Sequence, residues 1–413
     1  MSDLTLRAVS GGDDFEAFMG ASYEVFLEDP EKDEIDLIRA FTEFDRMFGF
    51  HDGTSWVATA GAFSRHVALP GGGTAPVAAV TAVTVSPNHR RRGLLTAMMR
   101  HQLDDIRSRG TEALAMLFAS EAAIYGRFGY GMATSVAALS GQVRELGFRP
   151  EVQLGGGLVT HVDADTLMAS ASEIHQRAVA QRPGLMERPR PWWEHWIHDS
   201  EARRKDASKI RFVLHHEADG TASAYAIYRP KIGWTDRGQP NSELQIREVR
   251  ATSRLAYAQI WRYLLDMDLV RTVEYDGAAV DEQLRSLVAD QRALSCEVGD
   301  GIYVRLVDVA RALTLRSYAA SVDVVLDITD EFCPWNTGRL RLRGGPDGAE
   351  CETTTALADM AISARDLGAI YLGGVSLQAL ANAGLVEEFT PGSVHRTAVA
   401  FGWPVAPGIP DNF

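Results

Sequence analysis

The stretch from Val83 to Thr96 constrains the fold of this chain more than any other feature. Its sequence is Val-Thr-Val-Ser-Pro-Asn-His-Arg-Arg-Arg-Gly-Leu-Leu-Thr. A β-rich run ends at Val85, a turn with three consecutive arginines follows, and a helix begins after Gly93. Backbone N–H groups that face into such a turn, together with the positive end of a helix dipole, form a good pyrophosphate site. The arginines add forked donors, and glycine lets the backbone approach phosphate closely. The stretch therefore predicts a strand, a phosphate-binding turn and a helix.

Length, composition and charge bound the class of protein. The chain has 413 residues, which suits roughly two to four domains. Apolar residues make up 46% and charged residues 23%, as in ordinary globular proteins. The net charge of -14, from 41 basic and 55 acidic residues, disfavours general nucleic-acid binding and fits either cationic partners or simple solubility.

Cysteine usage and the N-terminus indicate the compartment. Cys296, Cys333 and Cys351 show no Cys-x-x-Cys spacing, so the sequence predicts neither a disulfide framework nor a metal site. The chain lacks a basic-then-apolar leader, and it has no apolar run of about 18 residues. We therefore expect a cytoplasmic protein without membrane contact, and the sequence leaves signal-independent export open.

The apolar pattern of residues 1–150 predicts a domain in which helices and strands alternate around a largely antiparallel sheet. The apolar pattern predicts neighbouring strands at Ser55–Ala68 and Pro76–Val85, which a cluster of three glycines joins. A buried strand at Ala113–Phe118 follows the helix, and a strand at Thr134–Ser140 closes the segment.

Residues 151–296 repeat the strand-turn-helix order, with a strand at Leu244–Ala251 and a helix at Arg254–Leu269. The loop between them has no glycine and a single arginine, so we interpret this segment as a degenerate copy that has lost ligand binding. Residues 297–413 form a third segment. It begins with a strand-like edge at Val304–Arg311 and ends in proline-rich, extended sequence.

Four motifs carry a resemblance to a known family. The Arg-x-x-Gly core at Arg90–Gly93 resembles the acyl-CoA loop of the GNAT N-acetyltransferases, although Leu95 stands where that loop has a small residue. Together with Ala-Ser-Glu at 119–121 and the run Ile124–Gly131, it is similar to the Eis (enhanced intracellular survival) aminoglycoside N-acetyltransferases of actinobacteria. The string Asp366–Gly374 resembles the sterol-carrier type 2 fold that forms the last domain of that family.

The resemblance spans the whole chain and implies a mixed α/β (α+β) fold: two tandem GNAT-like domains and a C-terminal sterol-carrier type 2-like domain. Residues 1–150 are then the catalytic acetyl-CoA-binding domain, and residues 151–296 the degenerate GNAT-like domain. Residues 297–413 are the sterol-carrier-like domain, which ends in a catalytic C-terminus. The resemblance also implies acetyl-CoA as the donor, amines as acceptors, no metal and a homohexamer.

The resemblance places acetyl-CoA along the end of the strand, the arginine turn and the start of the helix. The implied cofactor-binding residues are Val83, Thr84, Val85, Arg90, Arg91, Arg92, Gly93, Leu94, Leu95, Thr96, Ser120 and Glu121. A backbone amide near Val85 would stabilise the developing oxyanion. The side chains of Val83 and Val85 also suit a strand core, and Ser120 and Glu121 also suit a helix start.

Acetyl transfer to an amine needs a proton donor for the departing thiolate and a proton acceptor for the amine. A phenol, with a pKa of about 10, keeps its proton at neutral pH, and the resemblance assigns the donor to Tyr125, with Tyr130 as its rival. No histidine stands in a base-like motif, and the resemblance assigns the acceptor to the free carboxylate of Phe413. Such a carboxylate has a pKa of about 3.3–3.7, which makes it a weak base unless it is desolvated or acts through water.

The acceptor is expected to be a small polycationic amine such as an aminoglycoside. Nine acidic residues lie between Glu24 and Asp45, most of them on a solvated face. The candidate acceptor-binding residues are Phe26, Asp29, Asp33 and Asp411. This chain has no tryptophan before Trp56, where members of the family often have one.

Direct transfer in a ternary complex is favoured because all three cysteines lie outside the first domain. Two other functions stay open: acetylation of protein lysines or polyamines by the same fold, and lipid or sterol carriage by the third domain. The sequence does not identify the natural acceptor or the amine positions that are modified.

Overall fold

The computed structural model of the protein describes residues 4–413, and the chain up to Thr134 builds most of one seven-stranded sheet. Its strands are β1 (Thr5–Ala8), β2 (Met47–His51), β3 (Trp56–Ala68), β4 (Thr74–Val85), β5 (Leu114–Phe118) and β6 (Gly131–Met132). Its helices are α1 (Gly12–Phe26), α2 (Lys32–Arg39), α3 (Leu94–Arg109) and α4 (Ala122–Tyr125). The helices α1 and α3 pack on β3 and β4, and the predicted antiparallel pairing of β3 with β4 is confirmed.

Residues 135–300 build a second seven-stranded sheet. Its strands are β7 (Ser135–Gln142), β8 (Leu158–Val162), β9 (Arg211–His216), β10 (Ala222–Lys231), β11 (Ser242–Ala251), β12 (Val270–Ala279) and β13 (Leu294–Asp300). Its helices are α5 (Ala164–Gln181), α6 (Arg190–Ile197), α7 (Glu201–Arg204), α8 (Arg254–Leu265) and α9 (Leu284–Leu287). The helix predicted to reach Leu269 ends four residues earlier, and Leu269 itself has a positive φ of 69° just before β12.

Residues 301–413 add one strand to the first sheet and form a five-stranded sheet of their own. Their strands are β14 (Ile302–Leu306), β15 (Val322–Thr329), β16 (Gly338–Gly345), β17 (Gly348–Thr353), β18 (Met360–Ser363) and β19 (Val386–Glu388). Their helices are α10 (Val309–Leu315), α11 (Ala364–Ile370), α12 (Leu377–Asn382) and α13 (Ser393–Phe401). The strand-like edge predicted at Val304–Arg311 is wrong in its second half, because Asp308 caps α10 through the N–H of Arg311.

The strands of the two seven-stranded sheets do not follow the order of the chain. Strand β7, which the sequence assigns to the first segment, pairs with β12 and β13 in the second sheet. The first sheet instead contains β14, which lies between β5 and β6. The chain forms two compact units. One unit holds the chain up to Thr134 with Gly301–Pro404 and Pro410–Phe413, and the other holds Ser135–Asp300 with Val405–Ile409.

Within the first unit, a buried ion pair joins β14 to the segment that follows β15. One nitrogen of the Arg305 guanidinium lies 2.8 and 2.7 Å from the two carboxylate oxygens of Asp330, and their side chains are 0% and 2% exposed. Asp330 also accepts hydrogen bonds from the N–H of Cys333 and the side chain of Asn336. Because an unpaired buried charge is costly, this network fixes the segment after β15 against the first sheet.

Helix α11 lies directly on β6 and β14. A Cβ atom at Gly131 would lie 2.0 Å from the carbonyl oxygen of Arg365, and one at Gly368 would lie 2.5 Å from the carbonyl oxygen of Val304. Both positions therefore require glycine. The third domain thus contributes both a helix and an ion pair to the packing of the first sheet.

No helix in the part of the chain that the structure describes has the length and apolar character that crossing a bilayer requires. Within the same residues 4–413, no three or more His, Cys, Asp or Glu side chains are grouped so as to hold a metal ion.

Candidate active site

Strands β4 and β5 pair over only three residues and then diverge. Their parallel register joins Val77–Ala79 to Leu114–Met116, while β4 continues to Val85 and β5 to Phe118. The other edge of β5 stays paired with β14 as far as Phe118. An opening is therefore left between the carboxyl ends of two parallel strands, a position where α/β sheets commonly bind ligands.

A β-bulge shapes β4 at this opening. The register of β3 against β4 shifts beyond Thr84, so that Ala82 and Val83 stand opposite a single residue. Ala82 has a φ of 52°, a conformation that costs a non-glycine residue about 1–3 kcal/mol. The Thr59 hydroxyl donates to the Ala82 carbonyl at 2.7 Å and lies 2.6 Å from the Thr84 hydroxyl, which therefore donates to it. The buried side chain of Thr59 thus holds the bulge.

The turn after β4 presents its charge to solvent. Arg90, Arg91 and Arg92 are all exposed, and the side chain of Arg90 donates to the Val85 carbonyl at 3.4 Å. Gly93, with a φ of 79°, precedes α3, and no described heavy atom lies within 4 Å of the position where its Cβ would be. No side chain of the described residues caps α3. The start of this helix is therefore uncapped, with free space beside Gly93.

The other predicted cofactor residues on β4 and α3 differ in how their side chains are placed. Thr84 and Leu94 are buried, Val83, Val85 and Leu95 are half-buried against the core, and Thr96 is exposed. The five buried and half-buried side chains pack against the core of the domain, which leaves the backbone groups of these residues as their contribution to the opening.

The connection from β5 to α4 carries the candidate proton donor. Tyr125 is buried, and burial raises the pKa of its phenol to about 12, with a hydrogen bond to Ser120 lowering that pKa and the charge of Glu121 raising it. Ser120 and Glu121 are exposed. Tyr130, whose ring lies 6.0 Å from that of Tyr125, is 0% exposed, and its hydroxyl has no hydrogen-bond partner among the described residues. Tyr125, not Tyr130, is thus linked to an exposed polar residue.

The last residue of the chain lies at the same end of β5. The rings of Phe413 and Phe118 have centroids 5.2 Å apart, and Phe413 is half-buried. Phe118 and Ser120 are two residues apart, and two residues of extended chain span at most about 7 Å. The structure thus brings Phe413 to the connection that carries Ser120 and Tyr125.

The candidate acceptor-binding residues fall into two groups. Phe26, at the end of α1, and Asp29 and Asp33, which follow it, are exposed. Asp411 is buried, and its carboxylate lies 3.2 Å from the Arg65 guanidinium. The first three side chains are accessible to a dissolved amine, and that of Asp411 is not.

These features fit the chemical parts of coenzyme A. Exposed guanidinium groups, uncapped helix N–H groups and the free space beside Gly93 suit a pyrophosphate. The part of β4 beyond its pairing with β5 offers backbone groups to an extended arm that carries amides. The chain therefore has a matching group for both the phosphate end and the amide arm of such a molecule.

The second sheet has the same local topology but a different turn. Strand β11 pairs in parallel with β12 and leads into α8, as β4 pairs with β5 and leads into α3. Here, however, the Ser253 hydroxyl accepts from the N–H of Ala256 at 3.2 Å and caps the helix. The Ser253 side chain therefore accepts a hydrogen bond from a first-turn N–H group of α8, whereas no side chain of residues 4–413 caps the start of α3.

The sequence did not predict a role for two residues of the first unit: Thr59, which holds the bulge of β4, and Arg65, which pairs with Asp411. Threonine is common in strands, so Thr59 gave no signal. Arg65 stands within the apolar pattern of β3, and a charge at a buried strand position is a signal that a buried partner exists.

Comparisons with known proteins agree with this geometry. The model of an acetyltransferase (GNAT) domain matches residues 6–133, a second GNAT domain model matches residues 184–306, and the model of a sterol carrier protein domain matches residues 309–410. An uncharacterised N-acetyltransferase of Streptomyces avermitilis is 44% identical over 92% of this chain and 92% of its own length. The N-acetyltransferase Eis of Mycobacterium bovis is 31% identical over 86% of this chain and 85% of its own.

Solved structures agree as well. The crystal structure of Eis1 from Mycobacterium abscessus is similar over 100% of both chains, with a TM-score of 0.85 and 31% identity. The fold and the site define an N-acetyltransferase with two GNAT domains and a sterol-carrier type domain, as the sequence predicts. Since the identity to Eis proteins extends over most of both chains, the chain belongs to the Eis-type N-acetyltransferases of the GNAT family.

Replacing Thr59 by valine should lower kcat/KM for acetyl-CoA by about tenfold, because a shift of the bulge misplaces backbone donors at the opening. Steady-state assays of CoA release measure this effect. Thr59→Ser keeps the hydroxyl and should retain most of the activity. A Thr59→Val enzyme with the wild-type kcat/KM would show that the bulge does not depend on this hydroxyl.

Proposed function

We propose that this N-acetyltransferase transfers the acetyl group of acetyl-CoA to amino groups of small polycationic amines such as aminoglycosides, at more than one position. The observation that carries the proposal is the contact of the Phe413 ring with Phe118. It supports a carboxylate beside the connection that carries Ser120 and the buried Tyr125. A carboxylate and a phenol near one opening are the two groups that the proton transfers require.

Residues along the opening between β4 and β5 would hold acetyl-CoA. The exposed guanidinium groups of Arg90–Arg92 and the N–H groups of Gly93–Thr96 suit its pyrophosphate, and the backbone of Val83–Val85 suits its amide arm. The thioester supplies an activated acetyl group. A backbone N–H near Val85 would stabilise negative charge on the acetyl oxygen.

Tyr125 is the proposed proton donor to the departing sulfur. Burial raises the pKa of its phenol to about 12, so the proton is present throughout the physiological range. A thiol has a pKa of about 8.5, so the leaving thiolate gains from a proton delivered late in the reaction.

The carboxylate of Phe413 is the proposed proton acceptor for the amine. The half-buried ring, set against Phe118, limits the fraying that chain ends usually show. A carboxylate gains strength as a base when it is desolvated, and it can also act through one water molecule.

Direct transfer between acetyl-CoA and the amine is the proposed route. Cys333 is buried beside the Tyr125 core cluster, and burial raises the pKa of its thiol. Burial also raises the pKa of Cys351 to about 12. Both thiols are therefore protonated at neutral pH and poor nucleophiles, which supports a ternary complex over an acetylated enzyme.

Charge supports a cationic acceptor. The chain carries a net charge of -14, and Glu24, Glu28, Asp29 and Asp33 are exposed around the end of α1. Such a surface raises the local concentration of polycations. A homohexamer and a cytoplasmic location stay predictions from the sequence.

The lipid-carrier alternative finds less support. A cavity of about 360 Å³ between Arg107 and the third domain is lined by charged and apolar side chains together, among them Asp308, Trp335, Arg339 and Leu340. A sterol is almost wholly apolar and would leave the charged members of this lining without polar partners. Transfer to protein lysines or polyamines uses the same chemistry and is separated from the proposal by experiment.

A panel of acceptors tests the proposal. Rates of CoA release with kanamycin, spermidine and a lysine-containing peptide should be highest with kanamycin, and mass spectrometry should detect products with more than one acetyl group. Preference for spermidine or for the peptide would assign the enzyme to the alternative class. No release with any amine would contradict the proposal.

A tyrosine pair provides the control for this panel. Tyr125→Phe should lower kcat for every accepted amine by about 10²–10³-fold, as loss of a general acid does, while Tyr130→Phe should leave kcat nearly unchanged. Equal effects of the two substitutions would remove the assigned role of Tyr125.

One glycine added after Phe413 should lower kcat by about 100-fold. The addition moves the carboxylate by up to about 3.6 Å, and displacements of that size are costly in catalysis. Phe413→Tyr, which keeps an aromatic ring and the position of the carboxylate, is the matched control and should stay active. Full activity of the extended enzyme would contradict the role of the carboxylate.

A further inference from the structure

The last residues of the chain are buried although they have no regular secondary structure. Pro410 and Asp411 are buried, Asn412 is exposed and Phe413 is half-buried. Chain ends usually fray unless something ties them down. A specific interaction must therefore hold residues 410–413 on the first unit, to which they belong.

That interaction is an ion pair between Arg65 and Asp411. A guanidinium nitrogen of Arg65 lies 3.2 Å from a carboxylate oxygen of Asp411, and each side chain is 2% exposed. Arg65 lies three residues before the end of β3, opposite Val77 in β4. The partner of Asp411 is therefore part of the rigid sheet that also forms the opening.

A buried ion pair gives little net stability, because removing both charges from water offsets their attraction. What it does provide is a defined position, since neither charge can leave its partner without a large cost. The pair therefore fixes Asp411 in space more than it strengthens the fold.

Fixing Asp411 limits where the chain can end. Two residues separate it from the C-terminus, a reach of at most about 7 Å. Pro410 restricts the backbone on its other side, and the Phe413 ring rests against Phe118. The final carboxylate is therefore held from both directions.

We propose that Arg65, through its ion pair with Asp411, is the positioning residue that sets the C-terminal carboxylate of Phe413 for proton transfer. This inference rests on the proposed role of that carboxylate. It also changes the assignment of Asp411, which sequence analysis offered as an acceptor-binding residue, because a carboxylate paired inside the protein serves the tail instead.

The test uses Asp411→Asn and Arg65→Met in the full-length enzyme. Each should lower kcat about 10- to 100-fold and leave the KM for acetyl-CoA unchanged, because the arginine turn and β4 stay intact. Arg65→Lys keeps a cation and should recover part of the loss. Thermal melting and calorimetric binding of acetyl-CoA establish that each variant is folded, and Arg65→Lys gives a readout if the others do not fold.

Glu112→Gln is the matched control. Glu112 forms an ion pair with Arg46 in the same unit, and the two side chains are 2% and 4% exposed, as buried as those of Asp411 and Arg65. This substitution should lower the melting temperature yet leave kcat close to the wild-type value. A loss of kcat in this control equal to that of Asp411→Asn would overturn the inference, since any buried ion pair would then have the same effect.

A double-variant measurement separates positioning from general damage. If Asp411 acts through the carboxylate, then Asp411→Asn should cause no further loss in the enzyme that carries an extra glycine after Phe413. An additional loss equal to that in the wild type would overturn the inference.

Unchanged kcat in Asp411→Asn, with strong loss in the extended enzyme, would overturn the positioning role alone. Unchanged kcat in the extended enzyme would overturn the role of the carboxylate and the inference with it.

Discussion

The site depends on the short pairing of β4 with β5. Beyond Ala79 and Met116 the two strands separate, and β5 can do so because its other edge remains paired with β14. The hydrogen bonds of Thr59 hold the bulge of β4 open on the opposite side. The arginine turn follows one strand and the tyrosine connection follows the other, so this single separation sets the relative positions of both.

The second GNAT domain shows what the fold does without these features. Its parallel pairing of β11 with β12 ends near Ile246, and Glu248 lies buried just beyond, in an ion pair with Arg188. Burial alone would raise the pKa of Glu248, but Arg188 and Arg250 outweigh it and the pKa is lowered. The second domain thus has a buried ion pair beyond its parallel strands and a serine cap at the start of α8, where the first domain has an uncapped turn. We therefore propose that, of the two domains with this topology, only the first binds a ligand.

Local signals explain what the sequence predicted. The arginine turn, the start of α3 and the Ser120–Tyr125 connection are contiguous motifs, and the fold class follows from the order of elements. The presence of β14 in the first sheet and of β7 in the second could not be predicted in this way, because the order of strands in a sheet depends on long-range pairing. The pair of Arg65 with Asp411 joins β3 to the last residues of the chain, and nothing in the sequence around either residue identifies its partner.

The central claim is that the opening between β4 and β5 in the first domain is the acetyl-CoA site, and that the second domain has none. Calorimetric titration of acetyl-CoA into the purified full-length chain tests it directly. The account predicts saturable binding with one molecule per chain. Binding of two molecules per chain, or no heat of binding at all, would contradict it.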